Sequence, residues 1–235
     1  EKIAQYIKPK QLIPTTMTFV DIAGIVKGAS KGEGLGTQFL AHIREVNAIA
    51  HVVRCFDDPN VVHVDGSIDP GRDISVIDTE LIFADLETVS KRFPTLEKQA
   101  RTGDKKAAAL YGVLSRVKDS LEKGFPARAL KLSEDEQIII RDYHLLTLKP
   151  VLYVANLDEA GIHDPAANKY FQTVKKVADI EGSKVVPICG ALESEIAALP
   201  TDAERMEFLK ELGVSETGLD RMIHAGYELL GLITY

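Results

Sequence analysis

Met17-Thr18-Phe19-Val20-Asp21-Ile22-Ala23-Gly24 decides how the rest of the chain reads. An apolar run ends in Asp-x-x-Gly, and the loop after it carries four more glycines, Gly28, Gly32, Gly34 and Gly36. An Asp at the carboxyl end of a strand reaches Mg²⁺ through a water, beside bound phosphates. A Gly one turn later lets the backbone approach the terminal phosphate. This is the chemistry of a nucleotide switch, with Asp21 toward the metal and the Gly24 N–H toward the γ-phosphate. The alternative is a βα turn with a solvated Asp, and Asp-x-x-Gly alone does not separate the two.

Two further strand ends bear on the choice. Pro150-Val151-Leu152-Tyr153-Val154-Ala155-Asn156-Leu157-Asp158-Glu159 is an apolar strand that finishes in polar groups. That is the edge where open α/β sheets bind ligands. Lys184-Val185-Val186-Pro187-Ile188-Cys189-Gly190-Ala191 is another, finishing in small residues. A phosphate-end switch, an Asn-x-x-acid strand end and a small-residue loop follow one another in this order in GTPase-type P-loop proteins. The expected fold is α/β, a P-loop NTPase (GTPase-like) with a mostly parallel sheet flanked by helices. In GTPases the Asn strand end carries Asn-Lys-x-Asp and reads guanine. Here Leu157 stands for the Lys and Glu159 for the Asp.

Strands are expected over residues 17–24, 48–56, 151–156 and 184–188, with a helix over 35–46. From Ile74 the apolar period becomes helical. Ile74, Ile77, Leu81 and Ala84 step 3, 4, 3, and Ala107, Leu110, Leu114, Val117 and Leu121 step 3, 4, 3, 4. With a polar turn at residues 101–104, this predicts an antiparallel, coiled-coil-like helical hairpin. Pro94 is expected to kink or break its first helix after Arg92. A third helix is expected from Ser133, where Ser133-x-x-Glu136 is a capping box, to about Leu145. Helices over 166–180, 192–198, 201–212 and 216–230 complete the pattern. The hairpin therefore interrupts one sheet. Residues 1–73 and 147–235 form the nucleotide-binding domain, and 74–146 the inserted helical domain.

The run from Asp21 to Gly36, His51-Val-Val-Arg-Cys-Phe56, Leu146-Thr-Leu-Lys-Pro150 and Asn156-Leu-x-Glu159 together resemble the YchF subfamily of Obg-related P-loop NTPases. The resemblance spans essentially all 235 residues. It implies a cytoplasmic, ribosome-associated enzyme that uses ATP and Mg²⁺ and takes GTP less well. Two departures accompany it. No Gly-x-x-x-x-Gly-Lys-Ser/Thr occurs in the chain. The family would also carry its first strand, phosphate loop and first switch before Glu1, and a small TGS domain after Tyr235. The expectation is a fragment, or an incompletely read chain, of a longer protein.

Each site residue has a sharp and a bland reading. Ile25 stands where Ras-like enzymes hold or neighbour the Gln that orients water, so hydrolysis needs another group. His63 is the nearby candidate, and the resemblance points to it as catalytic; otherwise it is a loop His without a role. Asn156 would tie the base-binding loop to its neighbours. Leu157 would lay its main chain and stem against the base ring. Glu159 replaces the carboxylate that accepts from guanine, one methylene longer. Cys189, Gly190 and Ala191 would cover the other edge of the base with backbone N–H groups, or simply form a small strand end. The ATP preference comes from the resemblance, with Leu157 and Glu159 as its visible basis.

With 28 Lys and Arg against 35 Asp and Glu, the net charge is −7. That argues against broad nonspecific nucleic-acid binding, and no DNA partner is expected. Cys55 and Cys189 sit in or at the end of apolar strands and read as core residues, not a disulfide. No apolar run approaches the length of a membrane span. Basic residues do gather on the hairpin: Lys91, Arg92, Lys98, Arg101, Lys105, Lys106, Arg116 and Lys118. They suit the ribosome or ribosomal RNA, although a solvated helical face reads the same way. Two functions stay open here. One is an ATP-hydrolysing regulator with a partner-binding arm. The other is a nucleotide-sensing binding module or scaffold with little hydrolysis.

Overall fold

The computed structural model describes residues 16–22, 35–59 and 66–232. Gly24, His63 and the loop glycines Gly28, Gly32 and Gly34 lie outside the described residues, so the roles expected of them do too.

The centre of the sheet is β2 (Val151–Asn156), whose first five residues are all buried. An unbroken apolar run suits a parallel strand covered on both faces. It is flanked by β1 (Ile49–Arg54) and β3 (Lys184–Ile188), both parallel to it, in the order β1-β2-β3. Register pairs Arg54 with Asn156 and Asn156 with Ile188, so the three carboxyl ends lie level.

One face is covered by α2 (Pro70–Arg101) and α6 (Lys169–Glu181). There Val53, Tyr153, Ala155 and Leu157 pack with Ile74, Val174 and Ala178. On the other face α9 (Gly218–Leu229) sets Ala225 and Met222 against Leu152, Val154 and Val186. The remaining helices are α1 (Leu35–Glu45), α3 (Lys105–Glu122), α4 (Glu134–Ile140), α5 (Glu159–His163), α7 (Gly190–Ala198) and α8 (Asp202–Glu211). Among the described residues, no helix is long and apolar enough to cross a membrane.

The expected strand at 17–24 is not formed over its described part. Residues 16–22 carry neither helix nor strand. Phe19 and Val20 are 44% and 61% exposed. Met17 instead meets α9, its sulfur 2.7 Å from where a Cβ on Gly226 would stand. Apolar content proposes a strand, but ladder bonds make one, and among the described residues β1, β2 and β3 pair only with each other.

The hairpin is present, with its seam shifted. The α2–α3 seam buries Val89, Leu96, Ala107, Leu114, Val117 and Leu121. Asp104 caps α3, its Oδ1 accepting from the N–H groups of Lys106 at 2.9 Å and Ala107 at 3.1 Å. At 32 residues against 18, α2 outruns α3 by roughly 20 Å. That surplus is where Ile74, Ile77, Leu81 and Ala84 sit. They belong to the root of the arm: Ile74 packs on the sheet, and Leu81 and Ala84 pack with Leu40, Ile43 and Leu146.

Pro94 does not break α2, which runs unbroken past it to Arg101. Pro94 is exposed, so the carbonyl that its ring leaves without a helix partner is open to solvent. Packing holds the helix on both sides of it. The Phe93 ring lies 5.0 Å from that of Tyr111, and Leu96 is 6% exposed in the seam. The third helix is also shorter than expected. Its capping box forms, but α4 ends at Ile140 and two 3₁₀ turns follow, with His144 between them at φ 47°. The start of α9 is set by a capping box of Thr217 with Asp220.

Candidate functional site

Three strand ends converge at the carboxyl edge of the sheet, and backbone bonds lock them together. The Cys55 N–H donates to the Asn156 carbonyl at 2.7 Å, and the Leu157 N–H to the Ile188 carbonyl at 2.8 Å. The Asn156 side chain adds a cross-tie, its Oδ1 accepting from the Gly190 N–H at 3.0 Å. A Cβ on Gly190 would stand 3.3 Å from that oxygen, so a side chain there would crowd the tie. With Oδ1 engaged, Asn156 Nδ2 is left without a partner among the described residues. It is a donor beside two exposed residues, Gly190 and Ala191.

Two expectations for this edge need correction. Leu157 cannot lay its stem on a base. It is 2% exposed and packs with Ile162, Val174, Cys189 and Leu192, because the residue after Asn156 turns back into the core. Of the N–H groups of the 189–191 loop, that of Gly190 goes to the Asn156 side chain and so is not open to a base. Burial pushes the Cys189 thiol above its ordinary value, with Glu159 and Asp158 nearby adding to the effect. Cys189 is therefore a core thiol that opens α7.

Glu159 is exposed as the first residue of α5, a helix too short to stand out in the sequence pattern. Its neighbour Asp158 caps that helix by accepting from the Gly161 N–H at 2.8 Å. A carboxylate at the first turn of a helix sits where backbone N–H groups favour negative charge. Asp21 is exposed at the end of the irregular segment, and its neighbour Ile22 packs against the α1 cluster. The structure thus gathers Asn156, Glu159, Cys189, Gly190 and Ala191 at one edge and leaves Asp21 on a separate segment. Among the described residues, no group of three His, Cys, Asp or Glu side chains could hold a metal by itself.

A neighbouring group escaped the sequence reading. Arg54, paired with Asn156 in the ladder, donates through Nε to the Phe56 carbonyl at 3.1 Å and through Nη2 to the Asp58 carbonyl at 3.2 Å. Its guanidinium lies 4.6 Å from the centre of the Phe56 ring. Tyr170 Oη donates to the Asp57 carboxylate at 2.9 Å, and Asn168 Nδ2 to the Cys55 carbonyl at 3.3 Å. So the loop after β1 is shaped beside Asn156 from two sides. The only signal in the sequence was an Arg and a Phe at a strand end, within the run His51 to Phe56.

Comparison with known proteins bears on this edge. Residues 3–78 match the family described as 50S ribosome-binding GTPase. The chain is 48% identical over 235 residues to the ribosome-binding ATPase YchF of Bacillus subtilis and 51% identical to that of Escherichia coli O157:H7. In both cases the whole chain is covered, and it spans 64% of the relative's length. The solved structure of the Schizosaccharomyces pombe YchF GTPase superposes with a TM-score of 0.76 at 36% identity. That match covers 97% of this chain and 62% of the yeast one. Over its whole length the chain is thus a homologue of these YchF proteins, and it shares their P-loop GTPase fold.

Proposed function

We propose that this chain carries the base-reading edge and the partner-binding arm of an ATP-hydrolysing switch that works on the ribosome. The observation that carries the reading is the Asn156–Gly190 cross-tie. It fixes a donor amide, an exposed carboxylate at Glu159 and a small-residue loop at the carboxyl edge of a parallel sheet, where such folds take their ligands. Asn156 Nδ2 would meet a ring acceptor, and Glu159 would accept from an exocyclic amine. Gly190 and Ala191 would leave room for the ring plane. With Leu157 in the core, there is no Lys stem and no short Asp to favour guanine. The two bacterial relatives are named ATPases, which supports adenine as the base, whereas the yeast structure is named a GTPase.

At the phosphate end Asp21 would reach Mg²⁺ through a water, and the Gly24 N–H would meet the γ-phosphate. The ion would offset charge on the phosphate oxygens. His63 would position or deprotonate the attacking water. The proposed division keeps residues 74–146 as the arm, with the basic residues of its tip toward ribosomal RNA. A protein working in this way belongs in the cytoplasm.

The sequence lacks the Gly-Lys-Ser/Thr that cradles β- and γ-phosphates. The 235-residue chain is therefore expected to hydrolyse neither ATP nor GTP measurably. Joined to a phosphate loop, it should bind ATP more tightly than GTP, and Glu159→Asp should narrow that gap. Calorimetric titration with both nucleotides is the test, and equal or tighter GTP binding would sink the specificity. In the same protein His63→Ala should lower kcat by roughly 10²–10⁴-fold while leaving ATP affinity nearly intact.

A further inference from the structure

Lys149 lies between three parts of the molecule. Its Nζ donates to the carbonyls of Arg44 at 3.2 Å and Val46 at 2.5 Å, at the C-terminal end of α1. A cation there satisfies orphan carbonyls and complements the helix dipole. Lys149 also ends the 3₁₀ turn Leu146–Leu148, which leads directly into β2. That turn is clasped to the arm. Asp85, 1% exposed on α2, accepts from the N–H groups of Leu146 and Thr147, each at 2.8 Å, and from the Thr147 hydroxyl at 2.6 Å. Leu146, fully buried, packs in one cluster with Leu40 and Ile43 of α1 and Leu81 and Ala84 of α2. Ile22, next to Asp21, joins the same cluster.

We propose that Lys149 is a positioning residue that couples α1 to the arm. The proposal rests on α1 being the helix that follows the phosphate-end loop. A displacement of α1 carries the Arg44 and Val46 carbonyls with it. Lys149 passes that displacement to the Leu146–Leu148 turn, and the Asp85 clasp passes it to α2. The joint resists independent motion because its polar atoms have their partners inside the protein. Slipping α1 past the turn would strand the carbonyls, and slipping the turn past α2 would strand the Asp85 carboxylate. Charge runs along the same line. Burial lowers the Lys149 pKa, with Asp85 opposing, and burial raises that of Asp85, with its bonds to Thr147 and Leu146 and then Arg44 opposing. Coupling of this kind requires one element that both sites bias, and the Leu146–Leu148 turn is that element.

The test is amide hydrogen exchange on the 235-residue chain and its Lys149→Met variant, without nucleotide. Exchange should rise roughly 5–20-fold in two separated places, the second half of α1 and the stretch of α2 around Asp85. Exchange in α9 should not change. Lys149→Arg, which keeps donors for the carbonyls, should restore most of the protection. Lys175→Met, at an exposed pair with Asp179, is the control and should change neither place. Acceleration confined to α1 would reduce Lys149 to a helix cap and overturn the proposal. So would no acceleration, or a uniform rise that includes α9. The comparison needs no nucleotide, so its failure is distinct from a failure of the ATP and GTP titrations.

Discussion

The arm has two ends built on opposite physics. At its root the charges are buried and shared. Arg128, whose side chain is 7% exposed, donates to Glu181 at 2.8 Å and to Asp78 at 2.7 Å. Tyr153, fully buried, adds its hydroxyl to Glu181 at 2.9 Å. Those residues come from α2, β2, α6 and the 3₁₀ turn Ala127–Leu130, so one guanidinium ties the arm to the sheet and its helical cover. At the tip the charges are exposed and local. Arg101 pairs with Glu97 one turn back, at 2.7 Å, with the Arg side chain 78% exposed. Lys98, Lys105 and Lys106 are exposed and have no ion pair among the described residues. Further down the arm, Lys91, Arg116 and Lys118 are committed to Glu87, Glu136 and Glu122, and Arg92 lies over Tyr143. The basic residues of the arm with no ion pair among the described residues, Lys98, Lys105 and Lys106, therefore stand at its tip. A desolvated charge fixes geometry and is costly to orphan, while a solvated one is free to meet a partner.

The sharpest way to break the comparison is to remove one charge from each end. Arg128→Ala leaves two carboxylates in the root without their cation and should lower stability by about 3–5 kcal/mol. Arg101→Ala at the tip should change it by less than about 0.5 kcal/mol. Denaturant unfolding measures both, and similar losses would erase the distinction between root and tip.

A second effect, of middle size, is specific to the root. His51 stacks beside Tyr153, ring centres 5.7 Å apart. Burial first, and then the Arg128 cation, lower its pKa from 6.5 to about 4, with Glu181 and Asp73 opposing. Because the folded value lies below the unfolded one, the unfolded chain binds the proton first on acidification. Full stability is present above pH 6.5 and is lost progressively as pH falls toward 4. The loss should be on the order of 2 kcal/mol, and a His51→Gln variant should show a flatter melting profile across that window. An unchanged slope in the variant would remove His51 from the root.

The smallest effect on stability should accompany the largest effect on binding. Reversing Arg101, Lys105 and Lys106 to Glu should leave the melting temperature within a few degrees. In ribosome co-sedimentation the same variant should bind more weakly, most clearly at low salt, where unscreened charges reach furthest. Undiminished sedimentation would take the tip out of partner binding.

Much of this was legible in the chain. The unbroken apolar run before Asn156 proposed a strand buried on both faces, and β2 is that strand, ending at Asn156 as expected. The 3-4 stepping of Ala107, Leu114, Val117 and Leu121 could only be one face of a helix, and all four are in the seam. Ser133 and Glu136 cap α4 as their spacing required. These features depend on neighbours a few residues away, and period and propensity report such neighbours directly. Residue spacing likewise brought Asn156 and Gly190 forward as parts of one edge.

The features that period and propensity left open depend on partners far along the chain. Leu157 reads as a polar-edge residue by position, yet the core behind the strand end takes its side chain. Ile74 to Ala84 has the period of a hairpin seam, but a helical period does not name the surface it faces, and here that surface is the sheet and α1. Pro94 would break an isolated helix, but packing against α3 on both sides carries α2 through it. Arg128, Glu181 and Asp78 are ordinary surface-type residues in sequence, separated by 50 or more positions. Folding makes them a buried cluster because burying charge is tolerable only where several chain segments supply the partners together.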